Sequence, residues 1–195
     1  MVCLDDIPAD CVVYSLGSRL EFSFEVDLLK KLGDRDCTVH TFDCTVGGVP
    51  PPGRIPSGIE FHPWCVGGAD EMKTFTSDMA GHGGEKGQYL TLATIMKMLN
   101  HSRVDLLKMD IERHEFDVIR TIRGSNNAPR QMAFEVHVQN AYRQWGRPVS
   151  YEEWVELWTT LDELSYGVLY HEVNLVMVCC AEFVVQLRNS PETLI

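Results

Sequence analysis

The chain has 195 residues, 45% hydrophobic and 23% charged, which is the composition of one globular domain and not of a disordered chain. Its 28 acidic and 17 basic residues give a formal net charge of −11. Because an acidic surface repels phosphate backbones, this charge disfavours a generic nucleic-acid binder. The longest apolar run, Leu175–Ala181, is far shorter than the ~20 residues of a membrane-spanning helix.

Apolar runs and helical spacing predict strands that alternate with helices. In chain order they predict strand 11–16, helix 21–32, strands 38–42 and 59–66, helix 90–99, strand 104–109, helix 115–122, strand 132–138, helix 151–164, and strands 167–171 and 181–187. Proline-rich Gly47–Gly58 and glycine-rich Met79–Gln88 are predicted loops. This order predicts an α/β domain with a doubly wound, mostly parallel sheet, helices on both faces, and the last two strands antiparallel at one edge.

The first strand ends in a single-glycine turn, Gly17-Ser18-Arg19-Leu20-Glu21. Glycine lets a backbone turn tightly and approach a ligand closely. The GxGxxG fingerprint of pyrophosphate cofactors is missing, which disfavours an NAD or FAD enzyme. A structural turn between strand and helix is the alternative interpretation.

Asp43 closes the second strand, 26 positions after Gly17. Nucleoside-binding folds place a ribose-binding acid at a similar offset of ~20 residues. A carboxylate here can accept hydrogen bonds from both ribose hydroxyls. We therefore expect Asp43 to hold a ribose, the alternative being a solvated turn residue.

Ionisable side chains follow the apolar run Val104–Met109, at the strand end where ligands bind in such sheets. Asp110 is a candidate to orient the cofactor or the acceptor. Glu112 follows it, and Glu115 either caps the next helix, whose N-terminus favours anions, or has a functional role.

Glu135 and His137 alternate on the next strand and so point to one side of it. The ordinary pKa of histidine lies near working pH, which favours His137 as a general base. A hydrogen-bonded core histidine is the alternative. Asp110 is the second candidate for removing a proton from an acceptor.

The seven cysteines form no CxxC pair and no zinc-like spacing with histidine. Because a chain of this length does not need disulfides, we expect reduced, mostly buried thiols of a cytosolic type. A disulfide framework in a secretory lumen is the alternative. Residues 1–10 do not resemble a signal peptide, and we expect one domain over residues 1–195, which a longer parent chain could contain.

Five segments together carry a resemblance to a known family: VVYSLGSRLEFSFE, VHTFDCT, VDLLKMDIERHEFDVI, FEVHV and CAEF. They resemble methyltransferase-like proteins with a class I, Rossmann-like methyltransferase domain, related to FkbM-type O-methyltransferases. The most specific piece is LLKMDIERHEF, which is similar to the family pattern K-[IM]-D-[IV]-E-G-x-E. The resemblance implies a seven-stranded sheet and S-adenosylmethionine as methyl donor.

The resemblance also assigns roles by position. It implies that the cofactor is bound by Gly17, Ser18, Glu21, Asp43, Cys65, Val66, Asp110 and Glu112, with Cys65 and Val66 near the adenine. No metal is expected. Arg113 stands where the family pattern has glycine, which would narrow the acceptor site, recruit an anionic acceptor or mark a loss of activity.

The expected activity is methylation of a hydroxyl on a small molecule or glycan, with Gly47–Gly58 and Gly81–Gly87 as lids and Trp64, Tyr142 and Trp145 as stacking aromatics. The sequence does not identify the acceptor, the oligomeric state or the compartment. Two rival hypotheses are a methyltransferase fold that only binds, and a nicotinamide-dependent oxidoreductase.

Overall fold

The elements largely follow the predicted order. The computed structural model describes residues 2–77, 82–125, 127–137, 149–173 and 180–188. These residues form β1 (Val12–Leu16), α1 (Ser23–Leu32), β2 (Thr38–Phe42), β3 (Ile59–His62), β4 (Cys65–Val66), β5 (Glu71–Ser77), β6 (His82–Leu90), α2 (Leu92–Met98), β7 (Leu106–Met109), α3 (His114–Ile122), β8 (Gln131–His137), α4 (Tyr151–Glu163), β9 (Tyr166–Val173) and β10 (Cys180–Leu187).

The main sheet has seven strands in the order β3-β2-β1-β7-β8-β10-β9. The five strands from β3 to β8 are parallel, and β10 runs antiparallel to both β8 and β9. The chain order reverses between β1 and β7, and ligands bind at such a switch point, beyond the carboxyl ends of the strands. The predicted fold class is confirmed. The antiparallel strand is β10, which is second from the edge of the sheet because β9 lies outside it.

Apolar side chains cover both faces of this sheet, as β-strand alternation requires. On one face, Val13, Val39 and Leu106 pack against Leu28 and Leu32 of α1. On the other, Tyr14, Leu16, Phe42, Leu107 and Met109 belong to a larger core that includes residues of α2, α3 and α4. The result is the three-layer arrangement that the alternating pattern predicts.

The glycine-rich segment was expected to be a loop, and this prediction is wrong for its described part. Residues 82–90 form β6, which pairs antiparallel with β5 and parallel with β4. Pairing on two sides satisfies the backbone groups of a segment whose composition alone indicates a loop. Gly81 and the other residues of 78–81 lie outside the described residues, whereas Gly47–Gly58 is a loop, as predicted.

Disulfides join Cys11 to Cys37 and Cys44 to Cys65, and Cys180 is also disulfide-bonded. The expectation of reduced thiols is therefore wrong for these five cysteines. The sheet brings the paired Cα atoms to 4.4 Å and 4.9 Å, within the reach of a disulfide. Cys3 is free, and Cys179 lies outside the described residues.

No helix in the described part of the chain is long and apolar enough to cross a bilayer; the longest, α4, has 13 residues.

Candidate active site

The turn after β1 packs directly against the end of β7. Gly17 has φ +78°, and a Cβ at this position would overlap the backbone carbonyl of Asp110. The Gly17 N–H donates to the carbonyl of Phe42 at 2.9 Å, and Lys108 Nζ donates to the Gly17 carbonyl at 2.7 Å. The carboxyl ends of β1, β2 and β7 therefore meet at this glycine, as open α/β sheets require of a ligand site.

Asp43 lies against the same turn. Its Oδ2 accepts hydrogen bonds from the N–H groups of Ser18, at 3.1 Å, and Arg19, at 2.7 Å. Its Oδ1 accepts from Thr45 N at 2.8 Å and Thr45 Oγ1 at 2.6 Å. The predicted convergence of Gly17 and Asp43 is present, but the buried carboxylate already accepts four hydrogen bonds from the protein. Its ribose-binding role stays a prediction.

The structure places the remaining candidate cofactor residues at different depths. Ser18 is buried in the turn, whereas Glu21 is exposed and accepts hydrogen bonds from the backbone N–H and the hydroxyl of Ser23, at the start of α1. Cys65 is tied by its disulfide to the residue after Asp43, and Val66 is buried beside it. The geometry therefore groups Ser18, Asp43 and Cys65 and leaves Glu21 in a capping contact.

A second group of side chains surrounds His137 at the ends of β7 and β8. Its Nε2 lies 3.3 Å from Glu112 Oε2, 3.6 Å from Glu135 Oε2 and 3.8 Å from Asp110 Oδ1. Its Nδ1 donates to Glu115 Oε1 at 3.2 Å. The imidazole is buried. Sequence reasoning placed Asp110, Glu112 and His137 at adjacent strand ends, and the fold brings them together.

The carboxyl groups around His137 change its proton affinity. Burial disfavours the imidazolium, but the hydrogen bond to Glu115 and the charges of Glu112 and Glu135 outweigh it, raising the pKa of His137 to about 9. Burial also raises the pKa of Glu112 to about 7. The positive charge of His137 opposes this rise, whereas repulsion from the neighbouring carboxylates adds to it. At pH 7 His137 is therefore protonated, which disfavours it as a base and favours Glu112.

The segment between β7 and α3 has a backbone that glycine would favour. Glu112 has φ +55° and Arg113 φ +82°, the left-handed region that costs a residue with a side chain about 1–2 kcal/mol. The guanidinium of Arg113 lies 3.7 Å from Glu153 of α4. Arg113 therefore adopts a backbone conformation that glycine favours, and its side chain contacts the neighbouring helix α4.

Two candidates were missed from sequence. Lys108 holds the Gly17 turn through its carbonyl. Glu25 of α1 is buried and accepts from the Ser15 hydroxyl, and its Oε2 has no hydrogen-bond partner among the described residues. Glu115, for which a cap and a functional role were both predicted, accepts from Ile111 N at 2.8 Å and also holds His137. Only the fold shows that these carboxylates are buried, because both positions lie on amphipathic helices where acids are ordinarily exposed.

Ligand atoms of Asp110, Glu112 and His137 lie within 4.8 Å of one another, which is close enough to share a cation. The protonated imidazole of His137 supplies a positive charge to this group. The absence of a metal at this site stays a prediction. Trp64 stacks on His62 with ring centroids 4.8 Å apart, and Tyr142 and Trp145 lie outside the described residues.

Comparisons with known proteins bear on the family and the fold of the chain. A model of a methyltransferase-domain family matches residues 4–185. Among solved structures, Methanococcus jannaschii fibrillarin, a pre-rRNA processing protein, has a TM-score of 0.52 and 10% identity, over 97% of this chain and 71% of fibrillarin. A search of curated proteins found no match.

Two further structures are more distant. LepI in complex with SAM has a TM-score of 0.47 and 13% identity, over 96% of this chain and 48% of LepI. A Streptococcus agalactiae protein of the NADB-Rossmann superfamily has a TM-score of 0.43 and 9% identity, over 94% and 65%. The chain thus spans about half the length of LepI.

The family match covers most of the chain, and the strand order agrees with it, so the predicted resemblance to class I methyltransferases is confirmed. The narrower relation to FkbM-type enzymes stays a prediction. This chain belongs to the methyltransferase-domain family and has its Rossmann-like fold.

Proposed function

We propose that this protein uses S-adenosylmethionine to methylate a hydroxyl group on a small molecule or glycan. The observation that carries the proposal is the meeting of two groups at the switch point of the sheet. The Gly17 turn with Asp43 forms one side, and the carboxyl groups around His137 form the other. When bound, S-adenosylmethionine supplies a methyl group already activated by its sulfonium.

The charge of the site fits this donor. The carboxyl groups of Asp110, Glu112, Glu115 and Glu135 surround the one imidazole of His137, and Glu115 Oε2 is buried without a hydrogen-bond partner among the described residues. Buried acceptors of this kind favour a ligand that brings positive charge or N–H donors. S-adenosylmethionine carries both a sulfonium and an ammonium group, so its chemistry matches the residues present.

On the donor side, the Gly17 turn lets the ligand approach the backbone, and Ser18 holds the turn against Asp43. Ribose hydroxyls would take the place of the Thr45 hydroxyl at Asp43 Oδ1. The adenine would lie beside Cys65 and Val66, whose position the disulfide to Cys44 keeps next to Asp43.

On the acceptor side, Glu112 takes the proton from the acceptor hydroxyl as the methyl group is transferred, and passes it to water afterwards. Its raised pKa of about 7 suits a base that works near neutrality. Protonated His137 donates a hydrogen bond to Glu115, and its positive charge favours the ionised form of Glu112. Asp110 orients the bound ligands. Alignment and exclusion of water then supply most of the acceleration.

The donor assignment is tested by calorimetry with S-adenosylhomocysteine. Asp43→Asn should weaken binding about tenfold or more, since removing a charged hydrogen-bond partner costs about 1.5–3 kcal/mol. Asp34→Asn, at an exposed acid after α1, is the matched control and should leave the affinity unchanged. Equal affinities of the wild-type protein and Asp43→Asn would remove Asp43 from the site.

A binding module without catalysis is the second candidate. The bulky Arg113 at a positive φ and the four protein hydrogen bonds to Asp43 favour it. Incubation with a labelled methyl donor and fractionated extracts separates the two. Label transferred to an acceptor supports the enzyme, whereas tight binding of S-adenosylhomocysteine with no transfer in any fraction supports the module.

A further inference from the structure

A cluster of three histidines lies on the sheet face opposite α1, apart from the groups that surround His137. His40 is in the middle of β2, and Glu60 and His62 lie on the neighbouring β3. The parallel register pairs His40 with Glu60 and Phe42 with His62. Because the side chains of alternate residues in a strand point to the same face, the side chains of His40, Glu60 and His62 lie on one surface near the edge of the sheet. His101 packs against His40, with ring centroids 4.9 Å apart, and hydrogen-bonds Tyr14.

The nitrogen and oxygen atoms of this cluster have the spacing of metal ligands. His40 Nδ1 lies 3.0 Å from His62 Nε2 and 3.6 Å from Glu60 Oε2. One ligand atom from each of the three residues lies within 4.8 Å of the others. Ligands about 2.0–2.1 Å from a tetrahedral metal are roughly 3.3–3.5 Å apart, so small side-chain movements would place one ion between them.

The surroundings of the cluster favour ligation. The facing nitrogens of His40 and His62 share one hydrogen bond, so one of them already presents a lone pair to the space between the two rings. The second nitrogen of His40, Nε2, is buried without a hydrogen-bond partner among the described residues. The carboxylate of Glu60 is 66% exposed, which gives an ion a route from solvent and adds a compensating charge.

We propose that His40, Glu60 and His62 bind a divalent transition-metal ion of the zinc type, with water at the open position. Two imidazoles and one carboxylate suit Zn²⁺, Co²⁺ or Ni²⁺, whereas Mg²⁺ and Ca²⁺ prefer all-oxygen sites. The ion would join β2 to β3 beside the hydrogen bond from Asp43 N to the His62 carbonyl, 3.0 Å long. It would therefore stabilise the edge of the sheet that supports the donor side.

The test uses the tag-free protein after dialysis against a chelator. Titration with Co²⁺ alone, followed by visible absorption, should show one equivalent bound in a tetrahedral or five-coordinate site, which Zn²⁺ displaces. His62→Ala and Glu60→Gln should each lower the Zn²⁺ affinity, measured by calorimetry, about tenfold or more. Both side chains are partly exposed, so these variants should retain the fold, which circular dichroism checks.

Two histidine variants outside the cluster serve as controls. His171→Ala, on exposed β9, and His137→Ala should leave the affinity unchanged. Failure of the wild-type protein to bind Co²⁺ or Zn²⁺, or binding that survives both cluster variants, would overturn the proposal. So would binding lost in His137→Ala but kept in His62→Ala, since the ion would then lie among the carboxyl groups of the candidate active site.

Discussion

Glu112 is a half-buried acid and His137 a buried base, and the pKa values of both are raised. The pKa of Glu112 is raised to about 7 and that of His137 to about 9. If catalysis needs ionised Glu112 and protonated His137, activity rises as pH passes about 7 and falls as pH passes about 9. We therefore expect kcat/KM to follow a bell-shaped curve with its optimum near pH 8.

The pH profile distinguishes the two candidate bases. Glu112→Gln should remove the rising limb and lower kcat about 10²-fold or more, the usual contribution of a general base. A profile that rises only above about pH 9 would instead assign the base to His137. His114→Gln is a suitable control, since His114 pairs with Asp117 outside the group.

Gly17 can be compared with another glycine of positive φ, Gly33. Both Gly17 and Gly33 have positive φ, but a Cβ at Gly33 meets nothing within 4 Å, whereas at Gly17 it overlaps the Asp110 carbonyl. Gly33→Ala should cost about 1 kcal/mol in unfolding free energy, from backbone strain alone. Gly17→Ala should cost roughly 3 kcal/mol, because strain and overlap add. Urea denaturation measures both, and equal costs would contradict the close approach.

Sequence reasoning named the candidate site residues that follow strands and missed Lys108, within a strand, and Glu25, within a helix. Gly17, Asp43 and Asp110 could be located because the strand pattern places ligand sites at strand ends. Glu25 could not, because its burial depends on α1 packing over Ser15. The preference for His137 as the base used its ordinary pKa, which burial and the carboxyl groups of Glu115, Glu112 and Glu135 alter.

Among the elements, α4 has the most complete N-terminal cap. The Ser150 hydroxyl accepts from Glu153 N at 3.2 Å, and the Glu153 carboxylate accepts from Ser150 N at 2.8 Å. The same Glu153 approaches Arg113 at the candidate active site. The position of α4 is thereby connected to the strained segment after β7.

Ser150→Ala should lower the unfolding free energy by about 1 kcal/mol, since the Glu153 N–H loses the hydroxyl that accepts its hydrogen bond. Thermal or urea denaturation gives the value. Thr159→Ala, at an exposed position within the same helix, provides the comparison and should change stability by less than about 0.5 kcal/mol. Equal losses of unfolding free energy in the two variants would show that the Ser150 cap does not stabilise α4.

Helices and parallel strands were predicted to within a few residues because their apolar spacing is decided locally. The hairpin of β5 and β6 was not predicted. Its glycines indicate a loop, and only pairing with neighbouring strands gives the segment its extended form. Propensity is a weak guide where strand partners decide the outcome.

Across the whole molecule, disulfides close segments at one side of the sheet. Cys11–Cys37 spans a separation of 26 residues and Cys44–Cys65 one of 21. Loop-closure entropy predicts that each contributes roughly 3 kcal/mol to the unfolding free energy. The acidic composition and chain length did not indicate this, because a chain of 195 residues can be stable without disulfides.

The double variant with Cys11→Ser and Cys37→Ser should have an unfolding free energy roughly 3 kcal/mol lower than that of the wild-type protein. Its urea midpoint should therefore be lower. Cys3→Ser, at the free cysteine, is the control and should leave the midpoint unchanged. Adding a reductant should shift the wild-type protein toward the double variant. A midpoint that neither the reductant nor the double variant moves would contradict a stabilising role for this disulfide.

The contact of Gly17 with the Asp110 carbonyl, held by Lys108, has a consequence for kinetics. In the proposed function, the donor and acceptor subsites share this stretch of main chain, so a shift of one would move the other. Substitutions at Lys108 should therefore alter the Michaelis constants of both substrates in parallel. Evolution toward a new acceptor would then proceed through the outer loops, leaving this junction untouched.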